Sequence, residues 1–281
     1  MSFLDRIAEA NTFDLRGFRP FSVGDARVGW IRPAFAARLA GHADVFSVDS
    51  GGVSLSPDLA DYAARTVAVD AVLRQFDLPG WRDEMYPVAT AFNAEPLLGI
   101  ERAAAPHFGF TAYGVQVNGY VRTADGLSIW IARRSPDKQT DPDKLDSLIG
   151  GGQPVGIGVM ENLVKEAREE AGVAPDLIAT ARPVGIVACC RETPAGLEPD
   201  IEFTFDLELP PDFRPRNTDG EVAEFMLWPV ERVMETVRMT TDFKFNINLT
   251  LIDFFIRHGL IGPDDPGYLA TIDALRRPTM P

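Results

Sequence analysis

The stretch from Gly150 to Val173, GGGQPVGIGVMENLVKEAREEAGV, constrains this chain more than any other. It opens on three glycines and closes on a run that reads as a helix. In that helix Glu166, Glu169 and Glu170 stand at i, i+3 and i+4, so their carboxylates share one face. Like charges crowded in this way destabilise an isolated helix, and a counter-ion is expected. Hard divalent cations suit the place, because Mg2+ prefers oxygen ligands, few carboxylates and substrate phosphates. Ala167 and Ala171 are small enough to pack beneath. Gly172 stands where a helix C-terminus favours a residue free to turn left-handed. An acidic helix face is by itself an ordinary solvated surface; glycines at the correct distance before it make that reading the weaker one.

The stretch resembles the Nudix box: a glycine, a spaced glutamate, then Arg-Glu-apolar-x-Glu-Glu-x-Gly-apolar. Gly151, Glu166, Glu169, Glu170, Gly172 and Val173 match it. Lys165 stands in place of the arginine and Ile157 in place of the first glutamate. The resemblance implies Glu166, Glu169 and Glu170 as ligands of Mg2+ or Mn2+. It also implies that the backbone of Gly151 and Gly152 shapes the metal and phosphate geometry. The missing glutamate is a brace for the loop, so loop geometry is where a departure is expected. Lys165 can neutralise a carboxylate but cannot do so as a bidentate fork.

The flanks narrow the likeness. Gly80-Trp81-Arg82-Asp83-Glu84, Glu101-Arg102-Ala103, Val117-Asn118-Gly119-Tyr120, Ile131-Ala132-Arg133-Arg134-Ser135 and Asp219-Gly220-Glu221-Val222 resemble Nudix proteins related to thiamine pyrophosphokinase. Those proteins carry an extra N-terminal domain. The implied fold is α+β: a small α+β domain over residues 1–105, then a Nudix α/β/α sandwich over 106–281. Pattern alone gives only mixed α and β. The implied activity is hydrolysis of a diphosphate, thiamine diphosphate or its oxidised, damaged forms, to the monophosphate. The box is equally compatible with a nucleoside-diphosphate-sugar or dinucleotide pyrophosphatase. Ile157 and Lys165 also leave room for a non-catalytic sensor.

Glu169, Glu170 and Glu221 are the expected catalytic carboxylates, with Glu221 as general base and Glu224 as second choice. Arg133 and Arg134 end a strand near the glycines and are either clamps for phosphate oxygens or ordinary surface arginines. Gln116, where relatives often have His, and Asn118 are expected beside the substrate. Trp81 and Arg82 offer either stacking and charge recognition or simple linker packing. The N-terminal domain is open between a substrate lid and a dimerisation surface, so a homodimer is among the expected assemblies.

The formal net charge of −14 argues against a nucleic-acid backbone as partner. Local arginines and metal ions still permit an anionic small molecule. The only cysteines, Cys189 and Cys190, are adjacent, which fits a reducing cytoplasm. The first residues, MSFLDRIAEANTFDL, lack the apolar core of a signal peptide, and no long apolar run suggests a membrane span.

Along the chain, the pattern predicts a first helix through Phe3 and Ile7, a strand from Val23 to Ile31 approached through Gly24-Asp25, and a helix from Pro33. A hairpin follows around Asp49–Gly52, then a helix capped at Ser56 with Pro57 in its first turn. Strands are expected at 113–121 and 127–132, joined by an Asp125-Gly126 turn, and at 181–190, 201–209 and 219–228. The alternating 201–209 segment reads as a strand with one wet face. Helices from Pro229, from Asn248 to His258, and in the tail complete the pattern.

Overall fold

The structure is a computed structural model that describes residues 2–124, 126–138, 140–218 and 220–277. Asp125 and Asp219, named above in turns, lie outside the described residues.

Helix α1 (Phe3–Glu9) starts at a capping box formed by Ser2 and Asp5. Strands β1 (Arg19–Val23) and β2 (Ala26–Ile31) follow. Gly24, expected as the approach to one strand, is the turn between two, at φ 58°. Helix α2 (Pro33–Leu39) begins with proline as predicted. Strands β3 (Phe46–Val48) and β4 (Val53–Leu55) close a four-stranded sheet in the order β2-β1-β4-β3. Helix α3 (Tyr62–Leu73) begins later than Ser56 suggested. The cap is Asp61, whose side chain accepts from the Ala64 N–H, while the Ser56 hydroxyl accepts from the Asp58 N–H in a local turn. Strands β5 (Met85–Val88) and β6 (Leu98–Glu101) pair antiparallel, and short helix α4 (Ala105–Phe108) ends at left-handed Gly109. One apolar core unites these elements other than α1, from Phe21 and Phe35 to Phe108 and Phe110.

The second body is built on strands β7 (Ala112–Thr123), β8 (Gly126–Arg134), β9 (Leu145–Asp146), β10 (Ile149–Gly152), β11 (Arg182–Glu192), β12 (Leu197–Glu208) and β13 (Val222–Pro229). The sheet runs β11-β12-β7-β8-β13, with β10 beside β7 and β9 beside β8. Of these pairings β12 with β7 is parallel. Helices α5 (Val159–Ala171) and α6 (Pro175–Ile178) cover one face against Val115, Val117, Phe205 and Leu207. Helices α7 (Val230–Met239), α8 (Phe245–Arg257) and α9 (Tyr268–Arg276) cover the other, against Tyr120, Ile129 and Ile131. The result is an α/β/α sandwich preceded by a small α+β unit.

Two differences from the sequence pattern bear on function. Helix α1, placed by sequence within residues 1–105, packs its Ile7 and Ala10 into the core formed by α7, α8 and α9. The polar face of β12, expected to be wet, is buried beneath α8: Glu202, Thr204 and Asp206 are 8%, 1% and 6% exposed. Alternation identifies a polar face, but only the tertiary fold shows that a helix covers it.

Candidate active site

The glycines predicted as a loop form strand β10 instead, with Gly150, Gly151 and Gly152 opposite Gln116, Val115 and Gly114. Each is a glycine because something occupies the side-chain position. A Cβ on Gly150 would stand 2.5 Å from Gln116 Oε1. On Gly151 it would stand 2.3 Å from the Glu166 carboxyl carbon. The true loop is 153–158, and it has its own brace: Gln153 Nε2 donates to the Ile157 carbonyl at 2.7 Å. Asn162, fully buried in α5, donates to the Gly152 carbonyl at 2.9 Å.

Helix α5 carries the acidic face as predicted and ends at Gly172, left-handed at φ 62°. Glu170 is half-buried and accepts the Gly150 N–H at 2.7 Å. Burial pushes its carboxyl well above the usual range. Burial also raises the carboxyl of Glu166. Lys165 Nζ lies 2.9 Å from Glu166, 3.6 Å from Glu169 and 4.0 Å from Glu84. Burial works against the charge on Lys165, but Glu166, Glu169 and Glu84 outweigh it and hold the ammonium protonated beyond its ordinary range.

Among the described residues no three acidic, His or Cys side chains converge at metal-binding distance. Glu166 and Glu169 converge on the ammonium of Lys165 and Glu170 turns to the Gly150 N–H. The donor set nonetheless fits a hard cation. It consists of carboxylate oxygens, its members already gather around a positive charge, and the bare Gly151 backbone lets the Glu166 carboxyl lie directly on the strand.

A cleft of about 400 Å³ opens from this corner. Glu166, Glu170, the three glycines, Gln116, Arg134 and Glu221 line it, so the fold brings these expected residues together. Glu169 lies at its edge, paired with Lys165. Arg133 is not among the lining residues; it lies 4.0 Å from Glu224 on the other face of β8 and donates to the Asp143 carbonyl. Arg134 lines the cleft and is tied down there, donating to the Asp141 and Thr140 carbonyls and to Asp146 Oδ2 at 2.8 Å. Asn118, also expected at the substrate, donates to Asp206 at 3.3 Å away from the cleft. Gln116 accepts from the Ser147 hydroxyl at 2.5 Å.

Glu221 pairs with Lys138 and lies 3.4 Å from Arg82. Burial pushes its carboxyl up, but these cations more than offset that and hold it below the usual range. Two carboxyls that sequence reasoning missed also line the cleft. Burial, reinforced by Glu198, pushes Asp200 up to about 6. Burial, reinforced by Asp200, pushes Glu202 up to about 7. Glu202 accepts from Asn246 at 2.9 Å through one oxygen; its other oxygen, Oε2, is buried without a partner among the described residues. Gly114 makes its space, since a Cβ there would stand 2.3 Å from that oxygen. The alternation of β12 carried the signal for Glu202, but not its burial.

Residues 2–112 match a family model described as a domain of unknown function, DUF4743. Nudix hydrolase 24, chloroplastic, of Arabidopsis thaliana is 43% identical over 282 residues, spanning 98% of this chain and 77% of that protein. Nudix hydrolase 20, chloroplastic, of the same plant is 39% identical over 289 residues, again 98% of this chain and 77% of the relative. Among solved structures, a Nudix hydrolase of M. smegmatis covers 66% of this chain and 99% of its own, at 11% identity and a TM-score of 0.42.

Proposed function

This chain belongs to the Nudix hydrolase family, and on that premise we propose that it cleaves thiamine diphosphate, or its oxidised, damaged forms, to the monophosphate. It is a Nudix pyrophosphohydrolase, and hydrolases of this family generally use divalent metal ions. The ion proposed here is Mg2+ or Mn2+, held by Glu166, Glu169 and Glu170. When bound, such an ion neutralises phosphoryl oxygens and makes a coordinated water a stronger acid.

One observation carries this reading: Glu166 and Glu169 gather around a positive charge beside a side-chain-free strand, at the edge of a cleft of about 400 Å³ that Glu166 lines. The protein's own contribution is positioning. Gly150 orients Glu170 through its N–H, and Gln153 and Asn162 hold the loop and strand around it. Glu221 is the proposed general base, because it lines the cleft as an ionised carboxylate; exposed Glu224 does not line it. The carboxyls of Asp200 and Glu202 at the same cleft suit a cationic ring, which supports a thiamine-type substrate over a neutral sugar. The hydrolase unit is proposed as residues 106–281 together with α1. Buried, unpaired Cys189 and Cys190 suit a reducing cytoplasm, the proposed compartment, although the plant relatives are named chloroplastic.

Purified protein with Mg2+ is expected to release monophosphate from thiamine diphosphate faster than from ADP-sugars or dinucleotides. Glu169→Gln combined with Glu170→Gln should slow this by orders of magnitude. A double variant as active as the parent would overturn the assignment.

A further inference from the structure

We infer that the N-terminal unit is a fixed wall of the active site, and that its Arg82 and Arg102 hold the phosphates of the substrate. This rests on the diphosphate-hydrolase reading and extends it to a part of the chain whose family model carries no function. Arg82, Tyr86 and Arg102 line the same cleft as Gly150, Gly151, Gly152, Glu166 and Glu170.

The two cations expected from sequence sit differently. Arg133 lies outside the cleft, and each nitrogen of the Arg134 guanidinium already donates to a carbonyl or a carboxylate. Arg102 is different. It donates one N–H to Glu84 at 2.6 Å, and its guanidinium lies 5.7 Å from the centre of the Tyr86 ring. Its other N–H groups have no protein acceptor among the described residues. Arg82 is half exposed and, among the described residues, has a single ion-pair contact, with Glu221. A planar guanidinium with free N–H groups is suited to bidentate contact with phosphate oxygens.

These arginines are also held in place. Glu101, 1% exposed, accepts the backbone N–H of Arg82 at 2.9 Å and of Glu84 at 3.0 Å. One buried carboxylate therefore fixes the segment that carries Arg82 and stands next in sequence to Arg102. The wall is in turn tied to the metal-binding corner. The Val155 N–H, in the loop before α5, donates to the Met85 carbonyl at 2.9 Å, and Glu84 reaches Lys165. A swinging lid would lack such bonds, and a dimerisation surface would not face inward on the cleft. Trp81, by contrast, packs on the N-terminal core and donates to Asp83, so linker packing and substrate contact fall to neighbouring residues.

The test is calorimetric titration of the full chain, in Mg2+, with methylenediphosphonate as a non-hydrolysable probe. Arg82→Ala and Arg102→Ala should each weaken binding roughly tenfold or more, as expected for loss of a charge-assisted bond. Arg102→Lys should recover part of the loss. In hydrolysis assays the alanine variants should raise KM more than they lower kcat. Thermal melts separate lost contacts from lost folding; should Arg102→Ala not fold, half-exposed Arg82→Ala and Arg102→Lys carry the test. Alanine variants that bind the probe as tightly as the parent overturn the inference and leave the hydrolase reading standing. A parent chain that binds no diphosphonate overturns both.

Discussion

The hydroxyl of Tyr86 occupies the place where Gly152 would carry a side chain: a Cβ there would stand 1.6 Å from the Tyr86 oxygen. Strand β5 of the N-terminal unit thus interlocks with the glycine strand of the sandwich. Tyr86 is buried, so it cannot simply swing into water. Gly152→Ala should destabilise the protein by about 2 kcal/mol through overpacking. Gly17→Ala, where a Cβ meets open space, should be close to neutral. Urea unfolding midpoints of the two variants check this; equal midpoints would count against the interlock.

Lys165 balances the acidic helix when no divalent ion is present. Its ammonium touches Glu166, Glu169 and Glu84, and its side chain is 40% exposed, so solvent screens much of the effect. Lys165→Ala should lower metal-free stability by about 1 kcal/mol or less. Adding Mg2+ should then stabilise the variant more than the parent. Thermal melts with and without Mg2+ measure the difference, and an identical Mg2+ response in both proteins would refute it.

Glu202 links folding to pH. Its carboxyl is pushed up from 4.5 to about 7, so the folded chain keeps a proton that the unfolded chain releases in that interval. Stability therefore falls as pH rises from about 4.5 to about 7, and the penalty is fully present above that window. Glu202→Gln removes it, with a gain of up to roughly 3 kcal/mol at pH ~8 that fades toward pH ~4.5. Asp200, pushed up to about 6 by burial and Glu198, acts in the same direction. Chemical denaturation at the two pH values checks the sign. A gain independent of pH would refute the charge explanation.

Asp206 anchors the polar layer beneath α8. It pairs with Arg257, lies 2.8 Å from His258 Nε2 and accepts from Asn118 at 3.3 Å. Removing it leaves the guanidinium of Arg257 partly buried, with Asp253 as its one carboxylate partner among the described residues. Asp206→Ala should cost about 3 kcal/mol, and Asp206→Asn less, since shape and one acceptor remain. Activity per folded molecule should be unchanged, because Asp206 does not line the cleft. Denaturation curves and an active-site titration separate the two effects.

The elements that were legible in sequence are those governed by local rules. The α5 carboxylate face and its Gly172 cap follow from helix period and glycine geometry, and both stand in the structure. The hairpin of β7 and β8 and the apolar α8 follow from periodicity in the same way. The start of α3 was misread because Ser56-Pro57 and Asp61 are both good helix openers; the folded chain uses the second. Arg134 was legible as a cation near the glycines, but its anchoring depends on carbonyls of a loop whose path the sequence does not reveal. Glu202 and Arg102 were missed for a related reason. Their significance arises from what faces them, and those facing elements lie far away in the chain.

Helix α1 has a last consequence. Helix α1 belongs to the sandwich, with Ile7 and Ala10 in the same core as Leu251, Phe255 and Leu275, and the chain then builds the neighbouring core and returns. The N-terminal unit is accordingly an insertion stitched at both ends. Nicking the backbone near residue 105 would not let it drift away, and truncating the first ten residues would strip a buried patch from the distant partner instead.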